Sequence, residues 1–180
     1  MSPQSPVRLL PLICPACQTP ILAKVDERAW VCATCQKGYL LMVDGSLRAQ
    51  DIFFSSAIKP GTPGRPFWVA PGQVTISERT TYGGDRGKEA QDFWAAQRLF
   101  YIPAFETALE DIISAGVSML RSPIQVQPGP PAPFLPVVTP PEDLRPLAEF
   151  IVYSLEADRK DALKTLKFSL RLENPQLWMI

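Results

Sequence analysis

All four cysteines of this 180-residue chain fall in two Cys-x-x-Cys pairs, Cys14-Pro15-Ala16-Cys17 and Cys32-Ala33-Thr34-Cys35, with fourteen residues between them. Each pair can turn two sulfurs toward one point, and the intervening segment is long enough for a hairpin that brings both pairs together. The spacing predicts one Zn²⁺ held by Cys14, Cys17, Cys32 and Cys35. The alternative use of a Cys-x-x-Cys pair, as a redox dithiol, belongs with a βαβ context that the flanking sequence lacks. A catalytic zinc keeps one position open for water beside three protein ligands. Four thiolates, in a chain with no histidine, predict a closed, structural site.

Thiols survive for metal binding in a reducing compartment, whereas a secreted chain would pair them. Residues 1–13 carry only Arg8 as a cation, and the apolar run Leu9-Leu10-Pro11-Leu12-Ile13 is short and broken by proline. No small-residue cleavage site follows, so the expectation is a cytoplasmic protein. Eighteen basic side chains balance eighteen acidic ones, and a zinc on four thiolates moves the total to about −2. Residues 1–50 hold five basic and three acidic groups, an excess that the metal centre offsets. That charge pattern disfavours a nucleic-acid partner. No apolar stretch approaches the ~20 residues of a membrane span.

A 46% hydrophobic content fits a folded chain with one ordinary domain and a small module. Residues 1–11, with Pro3, Pro6 and Pro11, read as an extended leader. The module follows at 12–47. Ile21–Val25 and Ala29–Val31 are β-like runs, predicting a hairpin over 20–32 with one cysteine pair at each end. Gly38–Val43 gives a third strand, closed by the turn signal Asp44-Gly45. So small a module buries little apolar surface; metal binding, worth an apparent ~10–16 kcal/mol in zinc-finger peptides, would supply its stability.

Cys-Pro-x-Cys, a hairpin, Cys-x-x-Cys, an aromatic and then Asp-Gly (Cys14 to Gly45, with Tyr39 as the aromatic) resembles the zinc-ribbon superfamily. In its Tyr39…Asp44-Gly45 ending it is similar to the small zinc-ribbon activator proteins of methyltransferases. Those continue with Ile-Pro, where this chain has Ser46-Leu47-Arg48. The resemblance covers about a quarter of the chain and implies a fold, a structural zinc and a protein partner, without naming an activity.

Residues 48–65, ending in a proline- and glycine-rich run, read as a linker. The remainder, 66–180, predicts a mixed α+β domain. Phe67–Val69 and Val74–Ser77 are strand-like, with Pro71-Gly72 as a turn between them. Lys88–Arg98 favours helix and Leu99–Ile102 strand. With Pro103 in its first turn, a helix should place Phe105, Ala108, Leu109, Ile112, Ile113, Val117 and Leu120 on one face and end at Ser122-Pro123. Between Pro123 and Pro141 eight of nineteen residues are proline, predicting an extended connection laid over the surface. Glu149–Leu155, rich in β-formers, reads as strand. Asp158–Lys167 reads as helix, Phe168–Leu172 as a half-buried strand, and Asn174-Pro175 as a turn returning Leu177–Ile180 against it.

The absence of histidine removes the commonest general acid/base and every Ser-His or Cys-His nucleophile. Glu106/Glu110 and Glu156/Asp158 fit solvated helix faces and turns. Gly83-Gly84-Asp85-Arg86-Gly87-Lys88 fails as a phosphate loop: it is one residue short before Gly-Lys, and Glu89 replaces Ser/Thr. Trp30, Trp68, Trp94 and Trp178 lack the interleaved cations of a base-stacking surface and read as packing residues. The expected function is that of a non-enzymatic accessory protein with no catalytic residues, whose zinc ribbon presents a protein-binding surface. The alternatives are nucleic-acid binding through the ribbon and a histidine-free enzyme in 66–180.

Overall fold

The computed structural model describes residues 11–180, so the expected leader lies, apart from Pro11, outside the described residues. At the start of the fold, Ile13 bridges Pro20 and closes a tight loop around Cys14 and Cys17. Strands β1 (Ala29–Val31), β2 (Gly38–Leu41) and β3 (Leu47–Ala49) then form an antiparallel meander. Gly45, with φ of 83°, makes the turn from β2 to β3, and a glycine is the residue that adopts this left-handed backbone without strain. The hairpin predicted over 20–32 does not form. Residues 21–25 are not a strand, because the Lys24 amide bonds the Glu27 carboxylate and Glu27 returns its amide to the Lys24 carbonyl. This local bonding competes with a ladder. The hairpin that carries the second cysteine pair is β1–β2.

The segment read as a linker contains the end of β3, which begins at Leu47, and all of β4 (Ile52–Phe54). The proline-glycine run after β4 does form turns, with Gly61 at φ of 81°. Beyond it, β5 (Pro66–Thr81), β6 (Arg98–Pro103), β7 (Leu163–Leu172) and β8 (Gln176–Met179) join β4 in one five-stranded sheet, of order β4-β8-β5-β6 with β7 also paired to β5. β4 runs parallel to β8, and the other pairings are antiparallel.

The predicted turn at Pro71-Gly72 is instead the middle of β5. On one edge β6 pairs with Phe67–Gly72. On the other, β8 covers Pro66–Val69 and β7 takes over from Gly72. β7 and β8 therefore lie end to end along β5, and Asn174-Pro175 interrupts one line instead of reversing the chain. Pro71 sits opposite that interruption: its carbonyl accepts from the Glu173 amide at 2.8 Å. In extended backbone a residue's N–H and C=O share an edge, so the donor that proline lacks points into the gap and no ladder bond is lost. At Gly72 a Cβ would stand 2.5 Å from Phe100 Cε2, so the aromatic ring lies directly over the backbone.

Three α-helices pack on the sheet: α1 (Gly87–Trp94), α2 (Leu109–Arg121) and α3 (Leu144–Ala157). α2 starts later than predicted. Pro103 is the last residue of β6, and the Ala104 amide still bonds the Pro66 carbonyl, so the chain cannot turn helical there. α3 replaces the strand expected at 149–155. Leu144, Ala148, Ile151, Val152 and Leu155 are buried at helical spacing, and this stripe outweighs the β-propensity of Ile151, Val152 and Tyr153. Residues 158–167, expected as helix, divide into a loop and the start of β7, with Ala162 in left-handed backbone at φ of 48°.

The proline-rich segment is extended, as expected, and is bonded along its length. It meets Phe54 and Ser56, then Gly64, then Arg28, then Ala104, through backbone bonds of 2.7–3.2 Å. The main core lies between the sheet and α2/α3, around Trp68, Phe100, Ile102, Ile151 and Met179. Ala29 and Leu40 of the meander, both fully buried, belong to this same core. The opposite sheet face, with Phe67, Val69 and Tyr101, is covered by Phe105, Ile124 and Val126.

Candidate metal centre

The two cysteine pairs sit on loops built alike. In the first, the Cys14 amide bonds Thr19 O and the Gln18 amide bonds Cys14 O, each at 2.9 Å. In the second, the Cys32 amide bonds Lys37 O and the Gln36 amide bonds Cys32 O, again at 2.9 Å. Gln18 and Gln36 both adopt φ of 60°. Each also returns its side-chain amide to its own loop, Gln18 to Pro15 O and Gln36 to Ala33 O. The repeated unit is thus Cys-x-x-Cys-Gln, a pattern present in the sequence whose fifth residue the spacing argument missed.

These loops bring Cys14, Cys17, Cys32 and Cys35 together, with all four sulfurs within 4.8 Å of one another. Cys14 Sγ lies 3.6 Å from Cys35 Sγ, and Cys17 Sγ lies 3.5 Å from Cys32 Sγ. A disulfide needs about 2.05 Å. A tetrahedron of sulfurs about 2.3 Å from a central ion has edges of about 3.8 Å. The cluster has the dimensions of a site that can hold one metal ion, and the donors are sulfur alone.

The surroundings favour thiolate at Cys14 and Cys32. Burial works against ionisation of Cys14, but hydrogen bonds from the Tyr39 hydroxyl and the amides of Cys17 and Ala16 hold its thiol down at about 6. The Cys35 amide, followed by that of Thr34, lowers Cys32. At Cys35 the Lys37 amide lowers the thiol, yet burial and the neighbouring sulfurs outweigh it and push it up to about 11. Four close sulfurs cannot all carry charge unaided, and a cation removes that conflict. Tyr39 is 4% exposed and caps the cluster; its bond to Cys14 drives its own hydroxyl up to about 12.

The carboxylates read as solvated divide. Glu106, Glu110 and Asp158 are exposed; Glu110 and Asp158 line one groove with Ser114, Ser118, Ser122 and Ser154, and there Asp158 is paired with Arg121 at 3.1 Å. Glu156 is fully buried. Its oxygens accept from Trp94 Nε1 at 2.8 Å, from Arg79 Nε at 3.0 Å and from Arg159 Nε at 2.9 Å. Asp161, 1% exposed, takes a two-pronged bond from Arg79 and accepts the Arg86 amide at 2.9 Å. No local pattern signals this cluster, whose members are up to 82 residues apart. Asp161 also accounts for the glycine-rich turn: the amide that a phosphate loop would offer is taken by a carboxylate.

Trp68 and Trp94 are buried with their indole N–H groups bonded to Thr139 O and Glu156. Trp178 stacks on Phe53 at 5.0 Å. Among the described residues no helix is long and apolar enough to cross a membrane. Compared with protein-family models, curated proteins and solved structures, the chain matches none.

Proposed function

We propose that this chain is a non-enzymatic accessory protein in which a structural zinc ion, held by Cys14, Cys17, Cys32 and Cys35, fixes a ribbon that binds another protein. An all-thiolate donor set selects a soft or borderline ion, and Zn²⁺ accepts the tetrahedral S₄ arrangement without geometric strain. Four protein ligands leave no position for a substrate. The reading is of a cytoplasmic protein, where reducing conditions keep the thiols available.

One observation carries the protein-binding part. The most exposed large apolar side chains of the described chain include Leu22, Val25 and Val43, at 94, 88 and 77%. Leu22 and Val25 lie on the loop between the first cysteine pair and β1, and Val43 on the turn from β2 to β3. Beside Val25, a cleft is lined by Phe105, Leu135, Pro136 and Val138. Apolar side chains left this open on loops stiffened by a metal are what a protein partner would bury.

Elemental analysis of the purified chain should give one zinc per molecule and none for Cys32→Ser. Affinity capture should return the same partner reproducibly with the native chain. The partner should be lost with Cys32→Ser and with Leu22→Asp/Val25→Asp/Val43→Asp, the latter retaining zinc. A partner retained by the triple variant overturns the surface assignment. Salt-sensitive retention of the native chain on DNA at ~50 mM salt, with no protein partner, would replace it by nucleic-acid binding.

A further inference from the structure

On the opposite side of the fold from the sheet's second face, α1 and the C-terminal ends of α2 and α3 enclose a cleft of ≈ 340 Å³, near the lower end of the range for small-ligand sites. Its charged lining is Arg86, Arg121, Arg159 and Lys160 against Glu89 and Asp158, with Phe93 as the aromatic wall. Cations at a helix C-terminus ordinarily balance the dipole of that helix. Here Arg121 from α2, and Arg159 and Lys160 just beyond α3, converge on one concavity with Arg86, which precedes the first residue of α1.

The two carboxylates are already committed. Glu89 is shared by Arg86 Nη1 at 3.2 Å and Arg159 Nη1 at 2.9 Å, and Asp158 accepts from Arg121 Nη2 at 3.1 Å. Lys160 has no carboxylate partner among the described residues. Arg159 is the anchor. Its side chain is 8% exposed, and Nε is fixed on both oxygens of the buried Glu156 at 2.9 Å. With Nη1 on Glu89, Nη2 is the guanidinium nitrogen without a partner among the described residues. A guanidinium held this firmly loses little further freedom when it takes a ligand. Its Cζ lies 5.7 Å from the Phe93 ring centroid, and Arg98 Cζ lies 4.2 Å from the same centroid.

We infer that this cleft binds a phosphate-bearing small molecule, its phosphate oxygens taken by Arg159 Nη2, Lys160 and the free guanidinium nitrogens of Arg86 and Arg121, with its organic body against Phe93. Phosphate is the anion that uses several convergent N–H donors at once, and its second negative charge matches the excess of cations over carboxylates in the lining. The site is separate from the metal centre and does not depend on the partner-binding reading.

The probes are inorganic phosphate and phenyl phosphate, titrated into the full zinc-loaded chain by calorimetry at constant ionic strength, with sodium chloride and acetate as controls. Saturable one-site binding of both phosphates is expected, at least tenfold weaker for Lys160→Gln and Arg86→Ala and restored in Lys160→Arg. Zinc content and circular dichroism should be unchanged in all three variants, whose altered side chains are exposed. Tighter binding of phenyl phosphate supports an organic phosphate as the ligand class, and equal binding of the two overturns the contact of an organic body with Phe93. Affinities unchanged in Lys160→Gln and Arg86→Ala, or heats reproduced by acetate, overturn the assignment.

Discussion

Arg79 is 6% exposed and stands between Glu156 and Asp161, two carboxylates with no side-chain exposure. Removing the one cation that serves both would leave buried charge unpaired, which costs about 3–5 kcal/mol. Arg79→Met should therefore lower the unfolding free energy by about that amount in urea titrations. Arg79→Lys should recover little, because an ammonium cannot make the two-pronged bond to Asp161. The same contacts set an acid limit. The Arg79 guanidinium, with smaller help from the Arg86 amide, holds the Asp161 carboxyl below its ordinary value despite burial. A lowered carboxylate contributes stability that is complete above the unfolded value of about 3.9 and fades as pH falls from there through the folded value. Arg79 is raised by the same bond to Asp161, so it stays charged throughout and adds no slope near neutrality. Native stability should fall below about pH 4, and Asp161→Asn, less stable at neutral pH, should lose part of that acid slope.

At the scale of elements, α2 packs tightly against α3 at Gly116, where an added Cβ would lie 2.3 Å from Ile151 Cδ1 and 2.8 Å from its Cγ1. Ala is the better helix former by about 1 kcal/mol, but overpacking of this kind costs about 1–3 kcal/mol. Gly116→Ala should be net destabilising by thermal unfolding, and Ile151→Val in the same chain should restore part of the loss by removing the δ-methyl. How far such elements could be read in advance follows from what fixes them. Of the apolar face expected from Phe105 to Leu120, α2 buries Ile112, Val117 and Leu120 but leaves Leu109 49% exposed; the cysteine spacing and the strand expected at 99–102, both local patterns, are seen. So is the extended proline segment, since proline restricts its own backbone. Two others are settled by distant partners. β5 stays continuous through Pro71 because β7 and β8 break opposite it. Residues 158–162 leave the helix because Asp161 reaches Arg79. Nothing within a dozen residues of Pro71 or Asp161 carries that information, whereas the Leu144–Leu155 stripe of α3 is itself a local pattern at helical spacing, passed over for the β-formers at 151–153.

For the molecule as a whole, the metal-binding meander and the larger sheet are not energetically separate, since Ala29 and Leu40 lie in the core that holds Trp68 and Ile151. The Arg28 amide also bonds Val137 O at 2.7 Å. Stripping the metal with a chelator should expose residues 18–37 to protease first, and it should also lower the thermal midpoint of the remainder. A midpoint identical with and without metal would show that the shared packing contributes nothing. A different consequence attaches to β8, which lies between β4 and β5 although it follows β4 by more than a hundred residues. A ribosome adding ~5–20 residues per second leaves β4 waiting for roughly 6–25 s before β8 is made. During that interval β4 has no neighbour in the sheet and one edge of β5 is bare, the kind of edge that other chains pair with. The cysteine loops can close as soon as they are synthesised, so translation has two stages: an early pair of closed loops able to take a metal ion, and a sheet that stays open until its inner strand arrives.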